Sequence, residues 1–193
     1  MKGTLHVTGD TDADALVNSD PWALLLAMLL DQQIPISWAF MGPHRLADRL
    51  TEAGLAFTVS ALAEMDPHHR VDMFCQKPAL HRHPAVMARR AGALAEHVCD
   101  VHNGDAAVWV RARSKTVWTR LNAMPGYGEE KSMILMAVLA KRFGVQPKGW
   151  EGFAGPFADD QPRSVADMDS KDGIAAVKAW KKRQKELGKT KQE

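Results

Sequence analysis

Three groups of residues in this chain have the types and spacing for chemistry. The first is Pro125-Gly126-Tyr127-Gly128, followed by Glu129-Glu130-Lys131. Two glycines around one residue let the backbone bend tightly and leave amide N–H groups uncovered. Those groups fall where a helix begins, with the positive end of its dipole behind them, so the turn can hold a phosphate oxygen. The same residues also make a plain connector between antiparallel helices, and the four alone leave both readings open. The second group is Asp31-Gln32-Gln33, a carboxylate and two amides closing the apolar run Trp22 to Leu30. The third is Lys77, His81 and Arg82, which stand before a long helix and can line a pocket or hold phosphates. Trp38, Trp150 and Tyr127 offer aromatic faces on which a base can stack, although a tryptophan at helical spacing, such as Trp38, reads first as core.

Other chemistries find no support. No phosphate-binding Gly-x-x-x-x-Gly-Lys loop, nucleophile elbow or Cys-x-x-Cys is present. His81-x-His83 with Cys75 is not a zinc spacing, so the sequence implies no metal site and two surface histidines. Cys75 and Cys99 are too few for an iron-sulfur cluster or a disulfide framework and read as small buried apolar groups. No cofactor is expected.

The elements that position these groups read as helices. Asp20-Pro21 is a cap followed by proline at the first helical position, and Leu24, Leu25, Met28 and Leu29 then carry a helix to about Gln33, before Pro35. Asp66-Pro67 opens a shorter helix ending near Cys75. His83-Pro84 opens a long one, whose Met87, Ala91, Leu94, Val98 and Val101 form a single apolar stripe that stops at Asn103-Gly104. Ser114 is placed to cap a helix through Val117, Trp118 and Leu121 into the hairpin, and the next helix runs to Phe143-Gly144. Residues 145–169, rich in Gly and Pro, read as irregular chain, and a last helix runs from about Ser170 to Leu187. Leu5 to Thr8 is the one stretch with strand-like alternation. The expectation is an all-α fold of eight to ten helices.

The chain has 193 residues, 46% of them hydrophobic, enough for one large domain or two small lobes around a shared core. The longest apolar run is too short for a membrane span, and the N-terminus lacks a signal-peptide core, so a cytoplasmic protein without a membrane partner is expected. A net charge of +2 announces no polyanion. The distribution is more telling: Asp10, Asp12, Asp14 and Asp20 lie near the start, and Lys178, Lys181, Lys182, Arg183, Lys185, Lys189 and Lys191 near the end. Such a basic tail adds non-specific phosphate affinity or is a solvated helix end.

Taken in order, these features resemble the helix-hairpin-helix DNA glycosylase superfamily, which includes endonuclease III and the alkylpurine glycosylases. The pieces that carry the resemblance are Leu24 to Gln33, Lys77-Pro78-Ala79-Leu80-His81-Arg82-His83-Pro84 with the Ala-rich helix after it, the hairpin, and the helix to Phe143-Gly144. They span residues 20 to 145. The resemblance implies a two-lobed helical fold with a cleft. Residues 20–110 would form one lobe, and 111–193 with 1–19 the lobe that holds the hairpin. It implies a monomer acting on damaged double-stranded DNA in base excision repair, nucleoid-associated if bacterial, by rotating a nucleotide out of the duplex. Pro125, Gly126, Tyr127, Gly128 and Lys131 would hold the backbone, and Gln33, with Gln32, would fill the gap left in the stack.

The chain departs from the family at two places. Bifunctional members carry a lysine nucleophile just past the hairpin. Glu130 stands there, and Lys131, one residue on, points about 100° away round a helix, so lyase chemistry is not expected. The family's catalytic aspartate is missing after the following helix. An ungapped count lands on Lys148, whereas aligning Phe143-Gly144 with the family's helix end lands on Glu151. Glu151 and Asp31 are therefore the two candidates for the carboxylate that stabilises a developing sugar cation or activates water. The expectation is a monofunctional glycosylase, with a non-catalytic lesion-binding protein on the same scaffold as the alternative.

Overall fold

The structure, a computed structural model, describes residues 2–190 and 192–193, and every regular element in them is helical. Lys191 of the basic tail lies outside the described residues. The chain forms α1 (Thr11–Ser19), α2 (Pro21–Leu30), α3 (Ile36–Glu52), α4 (Val59–Glu64), α5 (Pro67–Cys75), α6 (Pro84–His102), α7 (Ser114–Ala123), α8 (Glu129–Phe143), α9 (Trp150–Ala154) and α10 (Lys171–Glu186). Two short 3₁₀ turns, Gly155–Ala158 and Val165–Asp167, precede α10.

At the centre is α2. Every residue from Trp22 to Leu30 is buried, as a helix apolar on all sides must be. Asp20 caps it through the Trp22 amide, with Pro21 at the first position. Helix α3 packs on α2, and its Gly42 is the close approach, because a Cβ there would sit 2.4 Å from Leu30 Cδ1. Helices α4 and α5 pack on α6, and Arg70 ties them together by donating to the Leu62 carbonyl at 2.7 Å with its guanidinium over Gly92. On the other side α8 packs on α7, α9 and the 3₁₀ turns.

The N-terminal segment forms no strand. It runs extended because Asp14, itself buried, accepts from the Val7 and Thr8 amides and from the Thr8 hydroxyl. His6 N–H donates to the Met168 carbonyl at 2.9 Å, which fastens this segment to the far end of the chain.

Several sequence expectations need correction. Helix α2 stops at Leu30 rather than Gln33, since Asp31 leaves the helical region and Gln33 turns left-handed. Residues 145–169 are not wholly irregular, for they hold α9 and both 3₁₀ turns. Ser114 is the first residue of α7 and not its cap, because its hydroxyl donates to the Lys148 carbonyl at 2.8 Å. Cys75 is exposed and Cys99 half-buried, so neither is a fully buried apolar filler. Helices α1, α3 and α4 were not expected, although Asp10 and Thr58 cap the first and the last of them. No single described helix is long and apolar enough to cross a membrane.

Candidate nucleic-acid interface

The hairpin between α7 and α8 is locked onto the end of α2. Tyr127 is buried, and its hydroxyl donates to the Leu25 carbonyl at 2.7 Å. Gly126 has φ +82°, and a Cβ on it would stand 2.4 Å from Leu29 Cδ1. Lys131 reaches back so that its ammonium donates to the Met28 carbonyl and, at 3.2 Å, to the Leu29 carbonyl. These are last-turn carbonyls that α2 cannot satisfy itself, so a cation from another helix caps it.

That geometry divides the roles expected of the hairpin. Tyr127 does not stack on a base, because its ring is in the core, and its amide N–H is taken by the Met124 carbonyl at 3.0 Å. Lys131 is a strut on protein carbonyls, not an outward phosphate contact. Pro125 is half-buried and positions the turn. Gly128 is different. It caps α8 with an extended backbone and no side-chain cap, and a Cβ there would meet nothing within 4 Å. An anion can therefore come close to the start of α8 at this residue.

The second turn begins where α2 ends. Gln32 Nε2 donates to the same Leu29 carbonyl at 2.6 Å, and its Oε1 accepts from Arg90 of α6 at 2.5 Å. The Gln32 carbonyl accepts from His81 Nε2 at 2.8 Å, and His81 Nδ1 accepts from the His83 amide at 3.0 Å. A backbone N–H can only donate, so His81 carries its proton on Nε2 and is neutral. Burial is the main cause that holds its pKa below the ordinary histidine value, with His83, Arg82 and Arg90 adding to the effect against the Gln32 hydrogen bond. His81 is thus a buried strut rather than a surface histidine, with both ring nitrogens occupied.

Gln33 follows with φ +57°, exposed, and with no hydrogen bond to its side chain among the described residues. A left-handed backbone costs a non-glycine residue roughly 1–3 kcal/mol. The fold imposes it here and holds an unengaged amide outward. Beside it lies a cavity of about 260 Å3 lined by Gln32, Gln33, His81, His83, Val86, Met87 and Arg90. Met87 and Arg90 share one face of α6 at i, i+3, and His83, the residue that precedes the helix, stands four positions before Met87. That placement was the available signal for Arg90 and His83, neither of which was among the expected site residues.

The remaining candidates are spread out. Asp31, half-buried, caps the end of α2 and directly precedes Gln32. Glu151 is exposed in the first turn of α9, which packs on α7 and α8. Trp150 packs against the core. Trp38 donates from its indole to the Ala79 carbonyl at 3.1 Å and lines a separate depression with Met41, Arg45 and Pro78. Lys77 and Arg82 are exposed. Among the described residues no group of three His, Cys, Asp or Glu side chains could hold a metal ion. Comparison with known proteins finds no matching family model, no matching curated protein and no matching solved structure.

Proposed function

We propose that this chain is a base-flipping DNA repair protein with a two-lobed helix-hairpin-helix architecture, acting as a monofunctional glycosylase on damaged double-stranded DNA. The observation that carries the reading is Gln33. It is an exposed amide held in a strained backbone at the mouth of a cavity, one peptide beyond a carbonyl that His81 fixes. Strain of this kind persists where the surroundings over-determine it, and it points to use. In the proposed complex Gly128 and the start of α8 meet a backbone phosphate, Gln33 enters the stack, and the everted nucleotide turns toward the cavity, where Arg82 and Arg90 offset phosphate charge.

Of the two carboxylates, Asp31 fits better than Glu151 because it lies two residues from Gln33 at the end of the same helix. Its role is to stabilise positive charge on the sugar as the glycosidic bond breaks, with water as the attacking group. The cavity itself has no carboxylate among its lining residues, which favours the second reading, recognition of a distorted site without base release.

The test is a panel of lesion-bearing duplexes at protein excess, followed by alkaline cleavage of abasic sites. Strand breaks on at least one lesion, abolished in Asp31→Asn, support the glycosylase. Tight binding of a lesion duplex with no break on any substrate moves the conclusion to recognition alone. No duplex binding at low salt overturns both.

A further inference from the structure

The basic C-terminal segment does not trail away from the molecule. From Lys171 to Lys189 it carries seven lysines and arginines against Asp172 and Glu186. Helix α10 is anchored at its start to the last turn of α8. There Lys141 pairs with Asp167 at 2.8 Å and Arg142 pairs with Asp169, next to the α10 cap Ser170. One face is fixed by buried Val177 and Trp180, with the Arg163 guanidinium 5.1 Å from the Trp180 ring. At the other end, Gln192 Nε2 donates to Glu130 Oε2 at 3.3 Å, in the first turn of α8. The 16 residues of α10 cover about 24 Å and the 15 of α8 about 22 Å, so the segment runs back along α8 from its last turn to the hairpin.

The outward cations on this helix fall in a row. Lys178, Lys182 and Lys185 are exposed and recur at spacings of four and three, one helical face, and Lys189 follows just past the helix end, where Gly188 turns left-handed. Lys182 meets Glu186 at 4.0 Å, but both side chains are largely in water, where such a pair is worth little and is readily exchanged for a phosphate.

We propose that Lys178, Lys182, Lys185 and Lys189 form a cationic rail that takes the phosphate backbone of the duplex whose other contact is the hairpin. This rests on the DNA-binding reading and adds a second, sequence-independent contact to it. A duplex backbone is the occupant because the row is cationic, lies away from the packed face of its helix, and leads to the turn at Gly128. Counterion release makes such a contact visible in salt dependence, at about one unit of slope in log affinity against log salt for each phosphate contact.

The experiment compares the native chain with a variant carrying Lys178→Gln, Lys182→Gln, Lys185→Gln and Lys189→Gln. Both are titrated with a 20-base-pair duplex from 25 to 200 mM salt and with vesicles of phosphatidylserine and phosphatidylcholine, and circular dichroism confirms an unchanged fold. The expected result is a slope shallower by about three to four, at least tenfold weaker duplex binding at 100 mM salt, and no vesicle binding by either protein. An unchanged slope in the variant overturns the rail and leaves the hairpin reading standing. Absence of duplex binding by the native chain overturns both. Vesicle binding in place of duplex binding assigns the row to a membrane surface and overturns the proposal.

Discussion

Two turns meet at the end of α2, and they are built in opposite ways. The hairpin is relaxed and filled: Tyr127 is buried, Leu29 occupies the space over Gly126, and a glycine takes the left-handed backbone. The Asp31-Gln32-Gln33 turn is strained and open, with a glutamine in the left-handed region beside a cavity. Both use the Leu29 carbonyl, which accepts from Lys131 on one side and Gln32 on the other. The difference separates support from contact. In the hairpin the fold explains every residue except Gly128. In the glutamine turn it explains His81, Arg90 and Gln32 but not Gln33. The two residues without a packing reason are the two offered outward.

Substitutions can break this contrast. Gly126→Ala should cost the most, about 2–4 kcal/mol, because it combines a left-handed strain with a methyl forced onto buried Leu29. Urea unfolding measures it, and a loss under 1 kcal/mol would mean that the hairpin is not locked. Lys131→Met should cost about 1–3 kcal/mol, since two carbonyls at the end of α2 lose their donor. It should leave the salt slope of duplex binding unchanged, and a shallower slope would return Lys131 to the phosphate contacts.

Acid should weaken the glutamine turn. His81 has a folded-state pKa below its unfolded value, so its contribution to stability is complete above about 6.5 and is lost as pH falls through the folded value. Unfolding free energies at pH 7.5 and pH 5 should differ more for the native chain than for His81→Gln, which has no such titration.

Smaller effects should separate the two outward residues. Gln33→Gly should raise stability by about 0.5–1 kcal/mol by relieving the left-handed strain, yet weaken binding to a lesion duplex. A stabilised protein with unchanged lesion binding would remove Gln33 from the site. Gly128→Leu should leave stability within about 0.5 kcal/mol, because φ is −106° and the space is open, while lowering duplex affinity for every sequence alike.

The sequence made much of this legible. Asp20-Pro21, Asp66-Pro67, Asn103-Gly104 and Gly144 announced helix ends because caps and breakers act locally, and the structure places α2, α5, α6 and α8 by them. Helix α3 was not expected, and it carries Gly42-Pro43 in its interior, two residues of low helix propensity, where Gly42 lets Leu30 approach. The inward turn of Tyr127 and Lys131 was also invisible. Their partners lie about a hundred residues away, and the spacing that puts them beside a presumed phosphate also puts them beside α2.

By itself, then, the sequence determined that the chain is helical, where several helices stop, and that a glycine hairpin and a glutamine pair are its distinctive residues. Those properties depend on neighbours within a turn or two. The tertiary structure alone decided that Leu29 joins the two turns, that His81 is neutral and buried, that Gln33 rather than Gln32 is the outward amide, and that the basic tail returns to the hairpin. Each depends on carbonyls, space and charge brought together by packing from distant parts of the chain.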